Sequence, residues 1–249
     1  MKLAARERLA AVKTALALSL VASVLAAQPC RAAEELITSA HYPGGERVPY
    51  ILDSEGPLPR YVVILFPGGS GTVDPRMENG KLVYGYRGNF LLRSRKFIVD
   101  DQFATVTTNT TQSEERIQAV LDDIRIRFPG AKIYLMGTSS GTYATMALAR
   151  YLSDKIAGEI HTSSLNKIYE FDARKYKNRQ LVVHHRNDGC YLTLFGPAKE
   201  SHDRYGNDFI VMEGGVAVGD PCEAFAYHGY NGIERETVDA IKKWILQGG

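Results

Sequence analysis

Apolar residues in this chain follow two alternating rhythms. Residues 61–66 (YVVILF) form an unbroken apolar run that ends at Pro67-Gly68-Gly69. That is the pattern of a strand buried on both faces and halted by a glycine break. Similar runs at 103–108, 132–136, 157–162, 180–185 and 208–213 predict five further strands. Between them the spacing changes. Ile117, Val120, Leu121, Ile124 and Phe128 fall on one helical face, with Ser113, Glu114 and Glu115 opening that helix and Pro129-Gly130 closing it. Helices are also predicted at 86–97, at 141–153 (Ala144, Ala147, Leu148, Leu152) and at 232–247 (Ile233, Val238, Ile241, Trp244, Ile245). Segment 34–52 predicts an antiparallel hairpin at the sheet edge. Strands alternating with helices imply an α/β fold, a mostly parallel central sheet with helices on both faces. With no repeat, linker or low-complexity stretch, residues 33–249 read as one domain.

Composition narrows the class. The chain has 249 residues, 45% of them hydrophobic and 23% charged, which excludes a disordered, collagenous or coiled-coil chain. A domain of this size buries a full core without staples. The whole chain carries a net +2, but the first 32 residues hold five cations against one acid, so the remainder carries −2. A near-neutral surface gives no support for nucleic-acid binding. The charge asymmetry belongs to an export pattern. Lys2, Arg6, Arg8 and Lys13 precede an apolar stretch at 14–27, of signal-peptide length and short for a membrane span, and small residues follow it. Residues 1–32 are therefore expected to be a signal peptide, with cleavage after Ala26 or Ala32, and the protein to be periplasmic or secreted. An uncleaved anchor is the alternative. Cleavage after Ala32 removes Cys30 and leaves Cys190 and Cys222, an even pair for an oxidising compartment. They are expected to form a disulfide, the alternative being two unrelated buried thiols.

The sharpest chemical signal is Gly137-Thr138-Ser139-Ser140-Gly141, between the strand at 132–136 and the helix at 141–153. On such a strand-to-helix elbow a serine hydroxyl is lifted clear of the sheet, and the flanking glycines avoid collisions that a Cβ would make. The bland alternative is a glycine turn with Ser139 capping a helix. Ser140 is a weaker nucleophile candidate, because the glycines would then be misplaced.

With this elbow, the sequence resembles the α/β-hydrolase superfamily, by element order over nearly all of residues 35–247. The resemblance implies a single-domain α/β-hydrolase fold and a chain order of nucleophile, acid, histidine. Asp188, on the turn after the strand at 180–185, then takes the acid position, ahead of Asp172 and Asp220. His228 is the one histidine between the last strand and the last helix and takes the base position. The resemblance also implies an oxyanion hole from the Ser140 amide and from the loop Pro67-Gly68-Gly69-Ser70-Gly71, with Gly69 favoured over Gly68. Pro67 stands where esterases of this kind have histidine. A phosphate-cradling loop is the rival for these glycines, but the P-loop lysine is missing. Cys190 and Cys222 flank the acid and the base, so a bond between them would tie the two catalytic loops together.

The expected activity is serine hydrolysis of an ester or related acyl bond, with no metal and no cofactor. His184, His185 and Asp188 suggest a metal set, but adjacent strand residues point to opposite faces, which is poor for shared ligation. Only residues 163–179 separate two strands where the superfamily inserts its cap, so no large cap is expected. Segment 71–89, with Arg76, Lys81, Tyr84, Tyr86 and Arg87, is the candidate small lid. The expected partner is a small-molecule or peptidyl acyl substrate, with no nucleic acid and no membrane for the mature chain. Peptidase action, acyl transfer, cofactor-free haloperoxidation and non-catalytic binding remain as alternatives on the same scaffold.

Overall fold

The computed structural model describes residues 34–248; the expected signal peptide lies outside them. Eight strands form one sheet: β1 (Glu34–His41), β2 (Arg47–Ser54), β3 (Tyr61–Phe66), β6 (Phe103–Thr108), β7 (Lys132–Thr138), β8 (Gly158–Thr162), β9 (Arg179–His185) and β10 (Asp208–Met212). Their spatial order is β1-β2-β6-β3-β7-β8-β9-β10. β2 is antiparallel to both its neighbours, and every other pair is parallel. The edge hairpin expected at 34–52 is β1 and β2, in register Leu36 to Leu52.

Strand β3 shows why the chain folds this way. All six of its residues are buried, and they alternate between two cores. Val62, Ile64 and Phe66 meet Ile117, Val120, Leu121 and Ile124 of α2 (Glu114–Arg127), with Leu148 and Leu152 of α3 (Gly141–Leu152). Tyr61, Val63 and Leu65 meet Leu91 and Ile98 of α1 (Phe90–Ile98), with Val238, Ile241, Trp244 and Ile245 of α5 (Glu234–Gln247). Each large apolar side chain so buried contributes roughly 1.5–3 kcal/mol of transfer free energy before conformational entropy is counted. α2 begins as its sequence suggests: the Ser113 hydroxyl accepts from the Arg116 amide, and Glu114 and Glu115 oppose the helix dipole.

Three elements depart from the sequence expectation. α1 starts at Phe90 rather than 86, because Tyr86 has φ +51° and Asn89 caps Leu91 N. A helix at Phe195–Tyr205, α4, lies where none was expected; of its residues only Ala198 and Ser201 are buried, so it carries almost no apolar stripe. Within segment 71–89 a small separate hairpin pairs β4 (Arg76–Glu78) with β5 (Lys81–Val83). Asn79 and Gly80 form its turn, both at positive φ, as a two-residue hairpin loop of this twist requires.

One layer of the sheet carries a buried polar chain. His161 on β8 bonds the Thr145 hydroxyl at 2.8 Å and Gln180 Oε1 at 3.0 Å. Gln180 donates to Asn178 at 3.0 Å, and Asn178 donates to Glu159 Oε1 at 3.2 Å. Glu159 Oε2 has no partner among the described residues. Burial favours the neutral form of both ends: it pushes the Glu159 carboxyl up to about 8 and the His161 ring down to about 4.

Candidate active site

Parallel sheets place their sites at the C-terminal strand ends, and residues just past the ends of β3, β7, β8 and β9 meet here. The end of β7 turns sharply into α3, and Ser139 sits on that turn at φ +52°. An L-residue in the left-handed region is strained, and such strain collects at functional sites. The turn is fixed from below: Ser139 N donates to Thr162 O at 3.1 Å, and the Thr142 hydroxyl donates to Ser139 O at 2.6 Å. Both elbow glycines are sterically required. A Cβ on Gly137 would lie 2.8 Å from Gly141 O, and one on Gly141 would lie 2.4 Å from Phe66 O.

The two serines are distinguished by their partners. The Ser140 hydroxyl donates to Gly69 O at 2.7 Å, tying the elbow to the β3 loop. The Ser139 hydroxyl makes no such tie and lines an open cleft of ≈ 460 Å³. His228 lines the same cleft. No hydrogen bond closes between Ser139 Oγ and the His228 ring among the described residues.

On its other side His228 is firmly held. Nδ1 lies 3.0 Å from Asp188 Oδ2, with both groups buried. The Cys190 amide donates to Asp188 Oδ1 at 3.0 Å. Burial alone would raise the Asp188 carboxyl, but hydrogen bonds from His184, His228 and Cys190 hold it well below the usual carboxylate range. The loop of His228 is pinned separately: the Ser163 hydroxyl donates to His228 O at 2.6 Å, and the buried Tyr230 hydroxyl donates to Val183 O at 2.8 Å. Cys190 and Cys222 are joined by a disulfide, with Cα atoms 4.5 Å apart, so the loops that carry Asp188 and His228 share a covalent support.

The groups expected to form an oxyanion hole flank Ser139. Gly68 packs against Ser139, where a Cβ would lie 2.9 Å from Ser139 Cβ. Gly69, at φ +65°, lines the cleft beneath the Tyr86 ring. The Gly68, Gly69 and Ser140 amides donate to no other group among the described residues.

No family model matches this chain, and no curated protein matches it. Solved structures do. A serine hydrolase without lid from Xanthomonas campestris is 14% identical, covering 84% of this chain and 95% of its own, at TM-score 0.58. Est1E from Butyrivibrio proteoclasticus is 17% identical, covering 85% and 98%, at TM-score 0.59. An acylaminoacyl peptidase is 12% identical over 86% of this chain and 41% of its own, at TM-score 0.55.

The chain has the α/β-hydrolase fold.

On that fold, the connection 163–178 between β8 and β9 holds two short 3₁₀ turns at Asn166–Glu170 and Ala173–Lys175. Of segment 71–89, Tyr86 reaches the cleft wall, while Arg76 pairs with Glu78 and Tyr84 accepts from Arg95. The cleft is completed by Phe90, Ala224 and Phe225, with Glu223 at its edge. Among the described residues no group of three or more His, Cys, Asp or Glu is placed to hold a metal ion. His184 and His185 diverge as strand alternation requires: His184 bonds Thr193 O at 2.8 Å, and His185 bonds Gly214 O at 2.9 Å and stacks on Tyr227. The weaker acid candidates stand elsewhere: Asp172 pairs with Arg174, and Asp220 accepts from the Cys222 amide. Sequence reasoning passed over Ser163, Thr193 and Tyr230. Each is a hydrogen-bonding residue on a loop at a strand end, a type and place too common to single out.

Proposed function

We propose that this protein is a serine hydrolase acting on an ester or related acyl bond, with Ser139 as nucleophile, His228 as base and Asp188 as the acid that orients it. One observation carries the reading. A serine strained at positive φ on the strand-to-helix elbow shares a cleft with a histidine whose far nitrogen is bonded to a buried, ionised aspartate. The similarity of fold to esterases and serine hydrolases supports the same class.

In this mechanism His228 takes the Ser139 proton as the oxygen attacks the acyl carbon. Asp188 stabilises the resulting imidazolium. The tetrahedral oxyanion forms against the Gly69 and Ser140 amides, each such donor contributing about 3–4 kcal/mol to the transition state. Collapse expels the leaving group, protonated by His228, and a water activated by the same ring releases the acyl group. Tyr86, Phe90 and Phe225 give the cleft an aromatic wall for an apolar acyl or leaving group.

Export belongs to the same proposal. The basic and apolar N-terminal pattern and the Cys190–Cys222 bond support it. Among the described residues no helix is long and apolar enough to cross a membrane.

The test is a screen of acyl esters and peptidyl amides against wild type and Ser139→Ala. Ester turnover that disappears in the alanine variant is the expected result. Amide turnover in excess of ester turnover would favour a peptidase, and turnover equal in both proteins would refute the assignment.

A further inference from the structure

We propose that Thr193 is a positioning residue of this site, whose buried hydroxyl fixes the ring tautomer of His228; the inference rests on the Ser139, His228 and Asp188 reading. The Thr193 side chain is fully buried and does not line the cleft. Its Oγ1 donates to Asp188 Oδ2 at 3.0 Å and lies 2.9 Å from His228 Nδ1. His228 Nδ1 lies 3.0 Å from that same Oδ2, so the three atoms close a triangle.

The triangle holds few protons, and their count decides the geometry. Asp188 is held ionised and only accepts. A hydroxyl has one proton, and here it goes to Oδ2. The third side is then satisfied only if His228 Nδ1 carries the ring proton, shared between Oδ2 and the Thr193 lone pair. Nε2 is left bare, which is the state a general base needs. In the opposite arrangement the hydroxyl would donate to Nδ1 and Nε2 would carry the proton. Asp188 Oδ2 would then lose both donors and keep only His184 Nε2, at 3.4 Å. An ionised buried carboxylate left with only the Cys190 amide on Oδ1 and that long contact on Oδ2 is costly. Thr193 thus makes the productive tautomer the favoured one.

Thr193 is itself held. Its amide donates to Cys190 O at 3.0 Å, and its carbonyl accepts from the fully buried His184 Nε2 at 2.8 Å. This gives His184 a structural use, two layers behind the nucleophile.

The experiment compares wild type with Thr193→Val, which keeps the shape without the hydroxyl, and Thr193→Ser, which keeps the hydroxyl. Three quantities are read: the inactivation rate with a fluorophosphonate, kcat and KM on p-nitrophenyl acetate, and the ¹⁵N shifts of the His228 ring. The valine variant is expected to lose about 10- to 100-fold in inactivation rate and kcat, the worth of one hydrogen bond to a charged group. KM should stay unchanged, because Thr193 does not touch substrate. The serine variant should regain most of the rate. The wild-type ring should show a protonated Nδ1, and the valine variant a tautomer mixture. Should Thr193→Val not fold, Thr193→Ala supplies the same comparison. A valine variant with wild-type rates, a serine variant as slow as valine, or a wild-type ring protonated at Nε2 would each overturn the proposal. Labelling that persists in Ser139→Ala would instead refute the nucleophile, while the ¹⁵N shifts still report on Thr193.

Discussion

Glu159 offers a sharp test of the packing. Its side chain is fully buried, one carboxyl oxygen has no partner among the described residues, and burial pushes the group from 4.5 up to about 8. The folded protein therefore keeps the proton over a range where the unfolded chain has released it. The sign follows from linkage. Below the unfolded value both states hold the proton and stability is undiminished. As pH rises from there through about 8, stability falls by about 1.4 kcal/mol per unit, a total on the order of 5 kcal/mol. Replacing Glu159 with Gln removes the titration and keeps an acceptor for Asn178 Nδ2. At pH 8 the variant should be more stable than wild type by about 4 kcal/mol, a rise of about 8–16 °C in Tm for a domain of this size. At pH 4.5 the two should nearly coincide. His161 opposes this at the acid end: held down to about 4, it contributes stability that is present above its ordinary value of 6.5 and lost as pH falls toward 4. That loss is common to both proteins and cancels in their difference. The assay is a series of thermal melts between pH 4.5 and 8.5. Parallel curves for wild type and Glu159→Gln would refute the reasoning, showing that the carboxyl is solvated or paired.

Two further comparisons test the elbow and the disulfide. Gly141→Ala would place a Cβ 2.4 Å from the Phe66 carbonyl, a backbone atom that cannot move aside, and should cost about 3 kcal/mol in a melt, whereas Gly196→Ala, which meets nothing within 4 Å, should be neutral or stabilising by about 0.5 kcal/mol. Equal melts for the two would mean that the elbow is looser than described. Replacing Cys190 and Cys222 together with Ser opens a link across 32 residues, worth about 3–4 kcal/mol in the chain-entropy model. Turnover at 25 °C should fall before global unfolding sets in, because the bond holds loops rather than core strands. Two free thiols in the native protein, found by mass spectrometry, would show that no such bond exists.

What the sequence made legible follows from what each residue's neighbours demand. β3 and α2 were readable because burial on both faces, or on one, leaves a period in the sequence, and Ser113 and Gly130 mark the helix ends by local chemistry alone. The elbow was readable because its glycines answer to backbone atoms within a few residues or on the adjoining strand. α4 was not, since it buries only Ala198 and Ser201 and its Pro197 sits in the first turn, where a helix tolerates it. The 86–97 expectation failed at its start because Tyr86 adopts a positive φ that its side chain does not advertise. Thr193 and Ser163 were invisible for a different reason. Asp188 is only five residues from Thr193, but His228, which both Thr193 and Ser163 meet, lies 35 and 65 residues away, so these contacts exist only after the sheet has formed.

The central claim is that Ser139 is the nucleophile. The most direct measurement is reaction of the native protein with a fluorophosphonate, followed by peptide mass spectrometry to locate the adduct. A single adduct on Ser139 is predicted, absent in Ser139→Ala and retained in Ser140→Ala, because the Ser140 hydroxyl is bound to Gly69 O. An adduct on Ser140, or labelling undiminished in Ser139→Ala, would contradict it.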